Sequence, residues 1–199
     1  MNLKYKLATC ITAILLIAAN PATAQTPTTQ KNATTYGLLK AAATFGGDDL
    51  IDVQFRNAPD ETIEAGGLLL LGLGFAVEPG TSGVGFQASI NYHFDSVDAS
   101  NGDASFERWP VEMLLFFGSQ HRIGFGISLH LSPTLEADFD TADGKVKFDN
   151  ALGTVIEYNY KLSPNALIGL RHTNIDYDVK NSNTSVDGSH SGITFSFLF

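Results

Sequence analysis

Cysteine is nearly absent, since Cys10 is the only one in 199 residues. One thiol near the N-terminus supports neither a disulfide framework nor thiolate catalysis. Basic residues are scarce as well. Twelve Lys and Arg stand against 21 Asp and Glu, a formal charge of −9, and such a chain does not present the cationic surface that nucleic acid requires. Long apolar runs are missing beyond the N-terminal segment. The best is Gly67 to Val77, short of the ~18 residues of a membrane helix. Mean hydropathy is only +0.04, so any large apolar surface has to be hidden in alternation. His93, His121, His172 and His190 show no metal-ligand spacing. Gly72-Leu73-Gly74 lies inside an apolar alternation with no helix after it. Neither a metal nor another cofactor is implied.

What is present begins with MNLKYKLATCITAILLIAANPATAQ. Lys4 and Lys6 precede an apolar run from Leu7 to Ala19, and Ala22-Thr23-Ala24 supplies a small-x-small site, so residues 1–24 read as a cleaved secretory signal. Cys10 precedes the apolar run and is poorly placed for lipidation. Losing the two signal lysines moves the formal charge from −9 to −11. Residues 25–35, polar and without period, are expected to form a flexible leader. Residues 36–199 then form one domain.

That domain is written in period two, the mark of strands with two unlike faces. Leu39, Ala41, Ala43 and Phe45 alternate with Lys40, Ala42 and Thr44. Leu69, Leu71, Leu73, Phe75 and Val77 alternate with Leu70, Gly72, Gly74 and Ala76. Phe86 to Phe94 sets apolar side chains against Gln87, Ser89, Asn91 and His93. Trp109 to Phe117 sets them against Arg108, Glu112, Leu114 and Phe116, with a bulge expected at Pro110. Ile123 to Leu131 faces away from Arg122, Gly124, Gly126, Ser128 and His130. Leu152 to Tyr160, Ile168 to His172 and Ile193 to Phe199 complete eight strands. Short turns alternate with long connections at about 46–67, 95–105, 133–147 and 180–190, the first holding a hairpin of Leu50–Phe55 with Glu61–Ala65 around Arg56–Asp60.

An even number of strands of about 9–11 residues, with short turns on one side and long loops on the other, predicts an all-β, eight-stranded antiparallel up-and-down transmembrane β-barrel. The last strand is expected to pair with the first, and Phe199 to sit in an aromatic girdle. A soluble carrier barrel would need an apolar interior, which the charged second face cannot supply.

With signal, eight alternating strands and Ile193, Phe195, Phe197 and Phe199 at the C-terminus, the chain resembles small bacterial outer-membrane barrels of the OmpA transmembrane-domain and OmpX type. The resemblance implies a Gram-negative outer membrane with both termini periplasmic, contact with membrane lipid and lipopolysaccharide, and a C-terminal pattern read by the barrel assembly machinery. It implies no OmpA-like periplasmic domain after Phe199. The partner of the loops stays unknown; the hairpin Asp48–Glu64 and the loop Pro133–Lys147 are the candidate surfaces.

Candidate chemistry is confined to few residues. Arg108, Glu112, Arg122, Glu157 and Arg171 point inward and form either a gate or a set of paired charges filling a narrow lumen. Glu157 with Arg171 and Glu112 with Arg122 are the expected pairs. His130 and Ser132 form H-x-S, which resembles the outer-membrane lipid A deacylases and implies Ser132 as nucleophile and His130 as its base. Pro133 stands where that family has asparagine. Asp138 to Gly144 resembles a calcium loop in composition, but Ala142 and Gly144 break the spacing. The expected function is a structural or surface-interaction role without an open pore; a lipid A deacylase-like esterase and a narrow passive channel are the alternatives.

Overall fold

In the computed structural model, residues 32–53, 61–80, 83–99, 102–139 and 142–199 are described. The predicted signal 1–24, most of the leader and the Arg56–Asp60 turn lie outside them. Thirteen strands follow in chain order: β1 Thr34–Phe45, β2 Asp49–Val53, β3 Glu61–Glu64, β4 Leu68–Glu78, β5 Val84–Ala99, β6 Gly102–Phe117, β7 His121–Phe139, β8 Ala142–Lys147, β9 Ala151–Ser163, β10 Ala166–Asn174, β11 Asp176–Asp178, β12 Ser185–Asp187 and β13 His190–Leu198. Eight of them close a ring in the order β1-β4-β5-β6-β7-β9-β10-β13, every contact antiparallel.

Closure is made by the last strand on the first, with Leu38 opposite Leu198 and Phe45 opposite Ser191. Gly37 and Phe199 exchange both backbone hydrogen bonds, at 2.7 and 3.0 Å. A Cβ on Gly37 would lie 2.5 Å from the Phe199 ring, so glycine is what lets the terminal ring settle against the wall.

The period-two pattern sets the two faces as expected. Leu39, Leu71, Leu73, Phe75, Ile123 and Phe125 are outward and exposed, while Lys40, Asn91, Glu112, Ser128, Glu157 and Thr194 are inward and buried. Eight strands enclose little more than their own side chains.

The long connections depart from the loops expected at 95–105 and 133–147. β5 and β6 continue in unbroken register to the Ala99–Gly102 pair, and β7 runs on to Phe139, where it pairs with both β6 and β8. Their polar residues hid a second alternation, in which Val97, Ala104 and Phe106 turn inward and are buried. The segment 180–190 likewise holds β12, paired to β11. At this end the hairpins enclose a core of their own: Ile63, Ala65, Val97, Ala104, Phe106, Phe148, Ala151, Ile175 and Tyr177.

The bulge expected at Pro110 is displaced. The β5–β6 register passes Pro110 without a shift, and the irregularity lies between β6 and β7, where Glu107 meets Thr134 but Trp109 meets Leu131. The extra residue belongs to β7 at Ser132-Pro133, with Ser132 at φ 50°. The Pro110 carbonyl receives the Asn91 side-chain amide at 3.1 Å.

Candidate functional site

The inward row of β6 reads out the lumen from the long-hairpin end to the short-turn end: Ala104, Phe106, Arg108, Pro110, Glu112, Leu114, Phe116. All seven are buried. They divide the interior into an apolar plug, a histidine–arginine layer, a charge lattice and an apolar floor.

The lattice holds two acids and two bases. Lys40 Nζ lies 2.8 Å from Glu157 Oε2 and 3.2 Å from Glu112 Oε2. Arg171 Nη2 lies 2.5 Å from Glu112 Oε1, whereas Arg171 to Glu157 is 3.9 Å. Ser128 donates to Glu112 at 3.2 Å and Asn159 to Glu157 at 2.9 Å. The four charges sum to zero with each carboxylate also receiving a neutral donor, the condition under which buried ions are tolerated. Glu157 and Arg171 are register partners, yet the tight partner of Arg171 is Glu112 across the lumen. Lys40, absent from the expected charge set, is the closest cation to Glu157; its inward place between Leu39 and Ala41 was the available signal.

Arg122 does not meet Glu112. It lies at the short-turn end, 2.5 Å from Glu78, which also receives Lys161 at 2.7 Å. Its guanidinium stacks on Phe116 at 4.8 Å. Beside it, Leu114, Phe116 and Val155 form one apolar cluster and Leu38, Ala76, Leu167 and Leu198 another.

Arg108 has no carboxylate within ion-pair distance among the described residues. It donates to Gly67 O at 2.8 Å, contacts His93 Nε2 at 3.1 Å and stacks on Phe106 at 4.6 Å. His93, His130 and His190 surround it with ring centroids 5.0 to 6.4 Å apart. His190 Nδ1 donates to Gly188 O at 2.8 Å, and His130 Nδ1 lies 2.6 Å from the Tyr177 hydroxyl. Tyr177 hangs from the β11 hairpin above, and burial pushes its phenol up to about 12.

The H-x-S pair is not brought together. His130 is buried in the lumen against Tyr177, while Ser132 sits exposed in the bulge, its N–H donating to Asn150 Oδ1 at 2.9 Å. The bulge supplies the physical reason, since an extra residue turns Ser132 away from the face His130 occupies. Asp138 and Asp143 are register partners on the β7–β8 hairpin, and among the described residues no group of His, Cys, Asp or Glu is arranged to hold a metal. Ile193, Phe195, Phe197 and Phe199 line the outward face of β13, all exposed.

One charged feature escaped the sequence reading. Among the described residues, the exposed Lys and Arg side chains are Lys145, Lys147 and Lys180, and all three line one groove of about 460 Å³ with Val146, Val179 and Asn181. Lys145 and Lys147 share β8, and Lys180, distant in sequence, is brought to them by the hydrogen bond from Lys180 N to Lys147 O.

No protein-family model and no curated protein matches the chain. Among solved structures it is similar to Ail, the attachment invasion locus protein of Yersinia pestis, with a TM-score of 0.53 at 9% identity over 83% of this chain and 97% of that one. Ail in complex with the heparin analogue sucrose octasulfate aligns with a TM-score of 0.53, 8% identity, and 84% and 99% coverage. Neisserial surface protein A aligns at 0.49 and 14% identity over 85% of this chain and all of the other. The chain has the fold of the small eight-stranded outer-membrane β-barrels.

Proposed function

We propose that this protein is a sealed barrel of the bacterial outer membrane that acts through its projecting hairpins and has no conducting pore. The observation that carries this is the filled lumen: an apolar plug, a neutral four-charge lattice and an apolar floor lie in series. A passive channel would need a water path through all three. The short turns and both termini face the periplasm in this reading, and the barrel assembly machinery reads Ile193 to Phe199.

The hairpin surface is acidic apart from one groove, so its binding is of a discrete anionic group at Lys145, Lys147 and Lys180. Lipopolysaccharide phosphate, held in the same membrane, is that group. The acidic surroundings disfavour a long polyanion, unlike Ail with its sulfated ligand.

Two measurements test the reading. Reconstituted protein in a planar bilayer is expected to give no unit conductance steps; steady steps refute the closed lumen. The predicted mature chain lacks cysteine, so Asn183→Cys and Ser119→Cys are clean single labels. An impermeant maleimide on intact cells should modify the first and not the second, and the reverse result overturns the orientation.

A further inference from the structure

The outward wall of β10 and β13 carries chemistry that a sealed barrel leaves unused. Toward the long-hairpin end, the outward residues of β10 and its continuation run Ile168, Leu170, His172, Asn174, and those leading back along β13 run Phe195, Ile193, Ser191, Ser189. On β9 the outward row runs Ile156, Thr154, Leu152, the last again apolar and exposed. On β10 and β13 the wall turns from apolar to polar at His172 and Ser191. In a membrane barrel that step marks where hydrocarbon gives way to the ester and headgroup layer.

His172 and Ser191 are register partners, with Ser191 Oγ 3.0 Å from His172 Nδ1. Both line an open groove of about 570 Å³ whose other walls include Phe45, Ile156, Leu170 and Ile193. Asp187, on the hairpin above, accepts the Ser189 N–H at 2.8 Å. Asn174, one outward position above His172, holds Ser189 Oγ only loosely, at 3.3 Å.

We propose that Ser191 and His172 form an acyl-ester hydrolysis site for membrane lipids, with an acyl chain lying in the apolar groove. Ser191 Oγ bonds to the ester carbonyl carbon as His172 Nδ1 takes its proton. The carbonyl electron pair is displaced onto its oxygen. Collapse breaks the bond to the alcohol oxygen, which leaves with the proton from His172. Water then attacks the acyl-serine, giving its proton through His172 back to Ser191 and releasing a fatty acid. The site is independent of the His130 and Ser132 pair, which the bulge separates.

In the orientation proposed above the site meets the outer leaflet, and its test does not depend on that orientation. Refolded full chain in phosphatidylglycerol vesicles meets the same lipid on both faces, so failure here rejects the site while cell labelling alone judges orientation. Free fatty acid is measured together with labelling by an alkyl fluorophosphonate. The expected result is label on Ser191 and release that falls about a hundredfold or more in Ser191→Ala and His172→Gln, with Ser132→Ala unchanged. Both side chains are on the surface, and heat-modifiable gel mobility confirms that each variant is folded. Release by the parent protein no greater than that of folded Ser191→Ala overturns the proposal and leaves a cross-strand hydrogen bond.

Discussion

Replacing Lys40 by Met removes one charge from a lattice whose other three members stay buried. Glu157 then keeps only the Asn159 amide at 2.9 Å and Arg171 at 3.9 Å, because Arg171 is committed to Glu112 at 2.5 Å. The lysine and both carboxylates are 1% exposed or less. Breaking a buried pair by removing one partner costs about 3–5 kcal/mol, most of it the stranded charge. The double variant Lys40→Met, Glu157→Gln restores neutrality with two groups of similar volume, so it should recover to within about 1–2 kcal/mol of the parent, a strongly non-additive cycle. Urea unfolding in lipid vesicles, followed by gel mobility and by the fluorescence of Trp109, the only tryptophan, gives all four corners. A single-variant cost below about 1 kcal/mol, or a second substitution that adds its own loss, would refute the account of the lumen as a balanced lattice.

Gly37→Val should slow refolding and destabilise the closed barrel by roughly 1–3 kcal/mol, since its Cβ meets the Phe199 ring at 2.5 Å; Gly83→Val, with open space around its Cβ but φ at 69°, separates backbone strain from the steric clash in the same refolding assay. Phe106→Ala, which opens the plug beside Phe148, Tyr177 and Arg108, is expected to cost about 3–5 kcal/mol in the same unfolding experiment. For Tyr177 the folded phenol ionises at about 12 against an ordinary 10.0. The folded value is raised, so its contribution is complete below about pH 10 and is lost as pH climbs toward 12. Comparing parent and Tyr177→Phe unfolding midpoints across that window should show the parent declining more steeply; parallel curves contradict the buried phenol.

The ring was legible because each membrane-length strand carries an uninterrupted alternation, and a one-residue slip would turn every side chain to the wrong face. Lumen pairing was less legible. Neighbouring strands suggested Glu157 with Arg171, but long side chains in a narrow barrel reach across it, and Arg171 binds Glu112. The hairpins were hidden for another reason. Asp95, Asp98, Asp103 and Glu107 look like loop composition, whereas Val97, Ala104 and Phe106 between them are the inward half of paired strands. Ser132 misled because sequence spacing alone puts residues 130 and 132 on one face, and only the bulge separates them.

The same chain obeys two opposite solvation rules, and the change between them lies at Arg108. Below it the wall is apolar outside and the lumen is polar as far as the apolar floor; above it Phe106 and Tyr177 are inside and carboxylates are outside. A barrel apolar on both faces would have little reason to prefer one register over its neighbour. Lys40, Glu112, Glu157 and Arg171 lie on four different strands, so a one-residue slip of any of them pushes its charge into hydrocarbon, which is worth far more than the net stability of the ion pairs themselves. The projecting hairpins have water around them and can use an ordinary apolar core instead. Arg108 suits the junction, since its guanidinium stacks on Phe106 above and contacts His93 beside it, so one side chain belongs to both regimes. Thus the lattice specifies how the membrane strands pair, and the plug gives the hairpins a core of their own.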